Sequence, residues 1–176
     1  MIEGEGIRLR RAEPEDVEFL ISLVTDSDVE PFLAAAGALD EESLRHEVER
    51  SQQEPDEFGR FVIEDRRGER WERAGTVRFE LVNRRSRIVH LAGLAVHPTA
   101  RGRGLGDDAA RLMQRYLLVD LGYHRLELEV YGFNERAIVH AERVGFVHEG
   151  VRRKAYWRHG EWVDGVRFAL LQEDLR

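Results

Sequence analysis

The segment Val96-His97-Pro98-Thr99-Ala100-Arg101-Gly102-Arg103-Gly104-Leu105-Gly106 concentrates the chemistry of this chain, setting three glycines and two arginines between a strand-like and a helix-like run. Glycine backbones turn through positive φ and bring successive N–H groups into one concavity. A helix start adds partial positive charge, so the loop suits an anion of the pyrophosphate kind. The plainer reading is a tight strand-to-helix connection, but Arg101 and Arg103 supply planar charged donors that a bare turn does not need. Two other phosphate motifs fail on spacing. A dinucleotide fingerprint needs Gly or Ala at 107, where Asp107 stands, and no G-x-x-x-x-G-K-[ST] occurs.

A strand must lead into this loop and a helix must leave it. Arg87 to Val96 reads as that strand, and from Gly106 to about Leu121 the residues Ala109, Ala110, Leu112, Met113, Tyr116 and Leu117 recur at helical spacing, with Gly122 as a stop. Upstream, Ile7-Arg8-Leu9-Arg10 alternates as a strand does. Pro14-Glu15-Asp16 opens a helix carrying Val17, Leu20, Ile21 and Val24, and a second helix begins near Asp40 and ends before Pro55. Phe61–Glu64, Ala74–Val82 and Arg87–Val96, joined by turn residues, predict an antiparallel meander. A strand over Arg125–Tyr131, a helix over Glu135–Val144 stopped by Gly145, and strands over Phe146–Trp157 and Val163–Leu171 complete the pattern. Strands that first cluster and later alternate with helices imply a mixed α/β (α+β) fold, with helices covering a central sheet.

A chain of 176 residues predicts one domain over residues 1–176, large enough to bury a core without disulfides. No cysteine is present, which excludes a disulfide framework, thiolate metal sites and a cysteine nucleophile. The seven histidines have no acidic partners at zinc-type spacing, so no metal site is expected. No secretion signal or spanning run is read, so a cytoplasmic protein with no membrane partner is expected. The net charge of −7 disfavours nucleic acid.

The spacing Arg101-x-x-Gly104-x-Gly106, followed by Leu121-Gly122-Tyr123-His124-Arg125-Leu126, Asn134-x-x-Ala137, Gly145-Phe146, His148-Glu149-Gly150 and Arg152, resembles the GNAT N-acetyltransferase superfamily. The Gly160–Asp164 turn and Phe168–Leu171 strand resemble the branch of ribosomal-protein N-terminal and spermidine acetyltransferases. The resemblance implies a mostly antiparallel sheet of about seven strands in which the fourth and fifth, here Arg87–Val96 and Arg125–Tyr131, splay apart around acetyl-CoA. It implies that Gly93 to Val96, including the backbone of Leu94, Ala95 and Val96, lies along the pantetheine arm. Arg101, Gly102, Arg103, Gly104, Leu105 and Gly106 would hold the pyrophosphate, with Asn134 and Arg143 also approaching the cofactor. Asn134 is equally suited to cap the helix that follows it.

The implied chemistry is acetyl transfer from a thioester to an amine. The amine acceptor could be a protein N-terminus, lysine, polyamine or small molecule, and the acidic surplus is compatible with a cationic one. An ammonium with a pKa near ~10 must lose a proton before it attacks, and a donor must meet the developing oxyanion. Glu80, His90 and Glu129 are candidate bases, and the backbone N–H at Leu94 is the candidate oxyanion donor. Each charged strand residue also has a plain reading, as an ion-paired or solvated side chain. His97 is read as packing at the strand end, and Tyr156, Trp157 and Trp162 as core and hairpin packing or the lining of a cleft.

Two departures stand out. The tyrosine commonly found seven residues after the loop asparagine is Ala141, so the thiolate leaves unassisted, or His140 or Tyr131 helps, or the chain is a non-catalytic CoA-binding or interaction protein. Asp107 and Asp108 follow Gly106, where small or hydroxyl residues are usual, and are expected to face solvent or cap the helix. A monomer or a homodimer is compatible with the sequence.

Overall fold

The computed structural model describes residues 1–34 and 39–175. A short strand β1 (Ile2–Glu3) precedes β2 (Ile7–Arg11), α1 (Val17–Val24), α2 (Glu41–Gln53), β3 (Phe58–Arg67), β4 (Arg70–Asn83) and β5 (Ile88–Val96). Then come α3 (Leu105–Arg115), β6 (Arg125–Tyr131), α4 (Glu135–Arg143), β7 (Val147–Arg158) and β8 (Glu161–Leu171). The sheet has eight strands in the order β1-β2-β3-β4-β5-β6-β8-β7, one more than the expected seven. The addition is β1, whose two residues pair with Leu9 and Arg8 and are too few to show a period. The expected fourth and fifth strands are therefore β5 and β6.

Local chemistry sets the helix boundaries. The Asp40 carboxylate accepts from the Ser43 N–H at 2.8 Å, a cap that satisfies one of the free N–H groups at the start of α2. Asn134 does the same for α4, accepting from Ala137 N–H at 3.1 Å. The helix after the glycine loop is α-helical only to Arg115 and continues as a wider turn over Tyr116–Asp120, where the sequence pattern predicted an unbroken helix.

Apolar residues of β2 to β6 and β8 meet Leu105, Ala109, Ala110 and Met113 of α3 on one face of the sheet. On the other face α1 and α2 pack Val17, Leu20, Val24, Leu44 and Val48 over Val62. Beyond β3 this second face turns polar. Directly paired residues share a face, so the register places Arg60, Arg78 and Ala92 in one row, and Glu80, His90 and Glu127 in the next. None of the helices among the described residues is long and apolar enough to cross a membrane.

Two features of β5 open the sheet. Thr76 pairs with Ala95 and Arg78 with Ala92, so Gly93 and Leu94 together face the single residue Val77 in a β-bulge. Gly93 sits at φ +61°, which a side chain rarely tolerates. On its other side β5 runs parallel to β6 for Ile88, Val89 and His90 alone, paired with Arg125, Leu126 and Glu127. Past His90 the two strands separate, and the β6-facing edge from Ala92 to Val96 has no strand partner among the described residues.

Candidate functional site

A cavity of about 670 Å³ lies where β5 separates from β6 and runs into the glycine loop. Leu94, Ala95 and Val96 form one wall, and Arg101, Gly102, Gly104, Leu105 and Gly106 form its end. Asn134, Ala137, His140 and Arg143 line it from α4. The last wall, Val29, Phe32 and Leu33 of the segment after α1, was missed in the sequence. Its signal is slight, being three apolar residues among the acidic residues Asp26, Asp28 and Glu30.

The loop end is built to receive an anion. Gly104, at φ +77°, stands before the first turn of α3 and offers no capping side chain. A substituent there would meet only the Asp108 carboxylate, 3.9 Å away. The first N–H groups of α3 therefore face the cavity with the positive end of the helix behind them.

The two arginines separate. Arg101 lines the cavity, and its side chain ties the loop down by donating to the Val96 carbonyl at 3.3 Å and the Asp28 carbonyl at 3.2 Å. Arg103 is not brought into the cavity. Its guanidinium pairs with buried Asp65, which also takes Arg67 at 2.7 Å. A carboxylate 38 residues away in the sequence draws it to the far side of the turn.

Asp107 corrects the expectation that it faces solvent. Its carboxylate holds Arg143 through two hydrogen bonds of 2.7 Å, and it lines the cavity, whereas Asp108 is exposed. The Arg143 pairing keeps the Asp107 carboxyl below the usual carboxylate range. His140 Nε2 is buried beside the Gly106 backbone and 3.4 Å from Asp107 Oδ1, and burial lowers the imidazole pKa. Ala141 is 2% exposed and packs into the core, away from the cavity.

The candidate bases lie on the polar face of the sheet. Glu80 is held by Arg50 at 2.6 Å and lies 3.6 Å from Arg78. His90 stands at the fork itself, at the last rung joining β5 to β6. Burial and then Arg78 keep its pKa below 6.5, so the imidazole is neutral at pH 7 and can take up a proton.

Glu129 stands one alternation further along β6. Its Oε1 is buried without a partner, while Oε2 receives Arg152 at 3.3 Å. The carboxylate and the Tyr156 ring occupy the space over Gly165, where any side chain would collide with both. Burial and then Glu129 raise the Tyr156 pKa. Trp157 and Trp162 stack edge to face at the exposed tip of the β7–β8 hairpin, and His97 accepts from Thr99 N–H in a local turn. No group of three or more metal-ligating side chains occurs among the described residues.

Comparison with known proteins agrees with this architecture. Residues 7–147 match the family model of the acetyltransferase (GNAT) domain. The chain is 28% identical to the prophage-derived uncharacterized N-acetyltransferase YokL of Bacillus subtilis, over 97% of this chain and 93% of that protein. It is 26% identical to the spermidine N(1)-acetyltransferase of Escherichia coli, over 98% and 89% respectively. The structure of spermidine N-acetyltransferase from Vibrio cholerae in complex with CoA and spermine superposes with a TM-score of 0.85 at 22% identity, covering 97% of this chain and 98% of that one. With its splayed strands and the glycine loop at their end, the chain belongs to the GNAT acetyltransferase family, as an enzyme that takes an acetyl group from acetyl-CoA and passes it to an amine.

Proposed function

We propose that the chain acts as one acyltransferase domain in which the amine attacks acetyl-CoA directly in a ternary complex. The observation that carries this reading is the fork. A single strand, β5, loses its partner after His90 and leads straight into an uncapped helix N-terminus, so an extended arm and a pyrophosphate fit end to end. Leu94, Ala95 and Val96 take the arm, and the loop from Arg101 to Gly106 takes the pyrophosphate through backbone N–H groups, with Arg103 set aside for Asp65. Asn134 stabilises the start of α4 beside the thioester end, and Arg143 adds charge once it is released from Asp107.

At the reacting centre the amine nitrogen forms a bond to the carbonyl carbon, and the carbon–sulfur bond breaks. Neutral His90 accepts the proton lost by the amine, directly or through water. The backbone N–H at Leu94, on the bulge, stabilises the oxyanion. With Ala141 in the core, the CoA thiolate departs without a phenol; its conjugate thiol has a pKa of ~8.5, which makes it an adequate leaving group. The amine of the acceptor is protonated in bulk solution and reaches the fork over the polar face, past Glu80 and Glu129.

The test joins binding and turnover. Acetyl-CoA should raise the melting temperature, and free thiol should appear only when an amine is added. Gly104→Glu places a carboxylate in open space at the loop, though at a φ of +77° that strains a side chain locally, so it should abolish the thermal shift while the far-ultraviolet spectrum and the melting temperature without cofactor show that the fold is kept. Retention of the shift would mean that the loop does not hold the cofactor.

A further inference from the structure

The polar face around the fork has a charge arrangement that a simple amine does not require. Arg60 and Arg78 lie directly opposite each other on β3 and β4, an arrangement that is repulsive unless both cations find partners. Arg60 has one: its guanidinium is held by two donations to Glu47, one of them from Nε at 2.8 Å. Arg78 does not. Its only ion pair among the described residues is with Glu80 Oε2 at 3.6 Å, beyond hydrogen-bond length, while Arg50 holds Oε1 of the same carboxylate at 2.6 Å. The Arg78 guanidinium makes no hydrogen bond among the described residues, so its donors stay open to solvent or a ligand on a side chain that is 21% exposed.

Position gives this loosely held cation its meaning. Arg78 pairs with Ala92, the last residue before the bulge, and its Cγ and Cδ lie 3.7 and 3.9 Å from where a substituent on Gly93 would stand. It is close enough to His90 to oppose protonation of that imidazole. Across the fork, on the β6 wall, Glu129 presents the buried and unpartnered Oε1. The mouth of the fork thus carries a loosely paired cation on one wall, a carboxylate with one buried oxygen on the other, and a neutral imidazole at its base.

We infer that the acceptor carries a carboxylate beside its amine, as an amino acid does, and that Arg78 binds this carboxylate while the nitrogen lies between Glu129 and His90. A planar guanidinium with free donors matches a carboxylate in two parallel hydrogen bonds. A protonated polyamine would instead present charge to Arg78 with no anion to offset it. Arg78 is thus a specificity-determining residue. The inference rests on the acetyltransferase reading above and narrows its acceptor.

The experiment uses the full chain and matched acceptor pairs: free amino acids and their carboxamides, with spermidine as a third probe. Initial rates are followed by thiol release at saturating acetyl-CoA. In wild type, each amino acid should exceed its carboxamide by about tenfold or more in kcat/KM, the scale of a lost charge-assisted pair. In Arg78→Gln the advantage of the amino acid over its carboxamide should vanish through KM, and Arg78→Lys should restore part of it. Calorimetric binding of the same pairs to the CoA complex reads the preference without turnover. Preference for spermidine or the carboxamide, an equal loss on all acceptors in Arg78→Gln, or no binding of any amino acid would overturn the inference. The acetyl-CoA thermal shift reports separately on the cofactor site, so the two readings fail distinguishably.

Discussion

Replacing Glu47 by Gln should cost this protein about 3 kcal/mol, because the substitution strands a cation that the fold cannot release to water. Arg60 is 3% exposed, and three contacts hold its guanidinium: two donations to Glu47 and one from Nη1 to Thr76 Oγ1 at 3.3 Å. Its cross-strand neighbour is another cation, Arg78. Breaking a buried ion pair from one side costs about 3–5 kcal/mol. Glu47 is 28% exposed, so water replaces part of what is lost and the lower end applies. For a chain of this size that corresponds to a fall in melting temperature of about 6–12 °C. Scanning calorimetry at constant pH measures it, with the double variant Glu47→Leu/Arg60→Met as companion. Removing both charges together should recover at least half of the loss, since a buried pair contributes little net stability against an apolar replacement. A Glu47→Gln melting temperature within about 2 °C of wild type, or a double variant as unstable as the single, would refute the reasoning.

The remaining predictions concern the fork and its loop. Asp107→Ser removes the carboxylate that occupies Arg143. The exposed pair contributes little to the fold, and a freed arginine gains a charge-assisted partner in the cofactor, so acetyl-CoA should bind about 5–30-fold more tightly by calorimetry with little change in melting temperature. Weaker binding in Asp107→Ser would show that the carboxylate supports the cofactor site. For His90, a pKa below 6.5 means that turnover should be level through neutral pH and decline only as the pH falls below about 6.5, and His90→Gln should lower kcat about 100-fold while removing that limb. Stability follows the same sign: the unfolded chain protonates first, so the contribution of His90 is complete above pH 6.5 and is lost as the pH falls toward the folded pKa.

Much of this molecule was legible locally. The bounds of β6 coincide with the Arg125–Tyr131 strand read from the sequence, and the caps Asp40 and Asn134 and the stop Gly145 act within three or four residues of themselves. Such signals are complete in a short window, since a cap needs only the N–H groups of the following turn. The glycine loop was legible for the same reason. The extra strand β1 was not, because two residues carry no alternation and its pairing with β2 depends on a turn.

The site divides along the same line. Residue types and spacing determined that a glycine loop suited to an anion joins a strand to a helix, and the absence of cysteine already excluded a cysteine-bound acyl intermediate. Only the tertiary structure decided that Arg103 pairs with Asp65, that Asp107 holds Arg143, that Arg60 faces Arg78, and that β5 parts from β6 at His90. A guanidinium goes to whichever carboxylate the fold brings within reach, and these two pairs lie 38 and 36 residues apart in the sequence. Local backbone preferences are written in adjacent residues, whereas the distribution of charge over the polar face is set by strand register. Register comes from burying the apolar face beneath it.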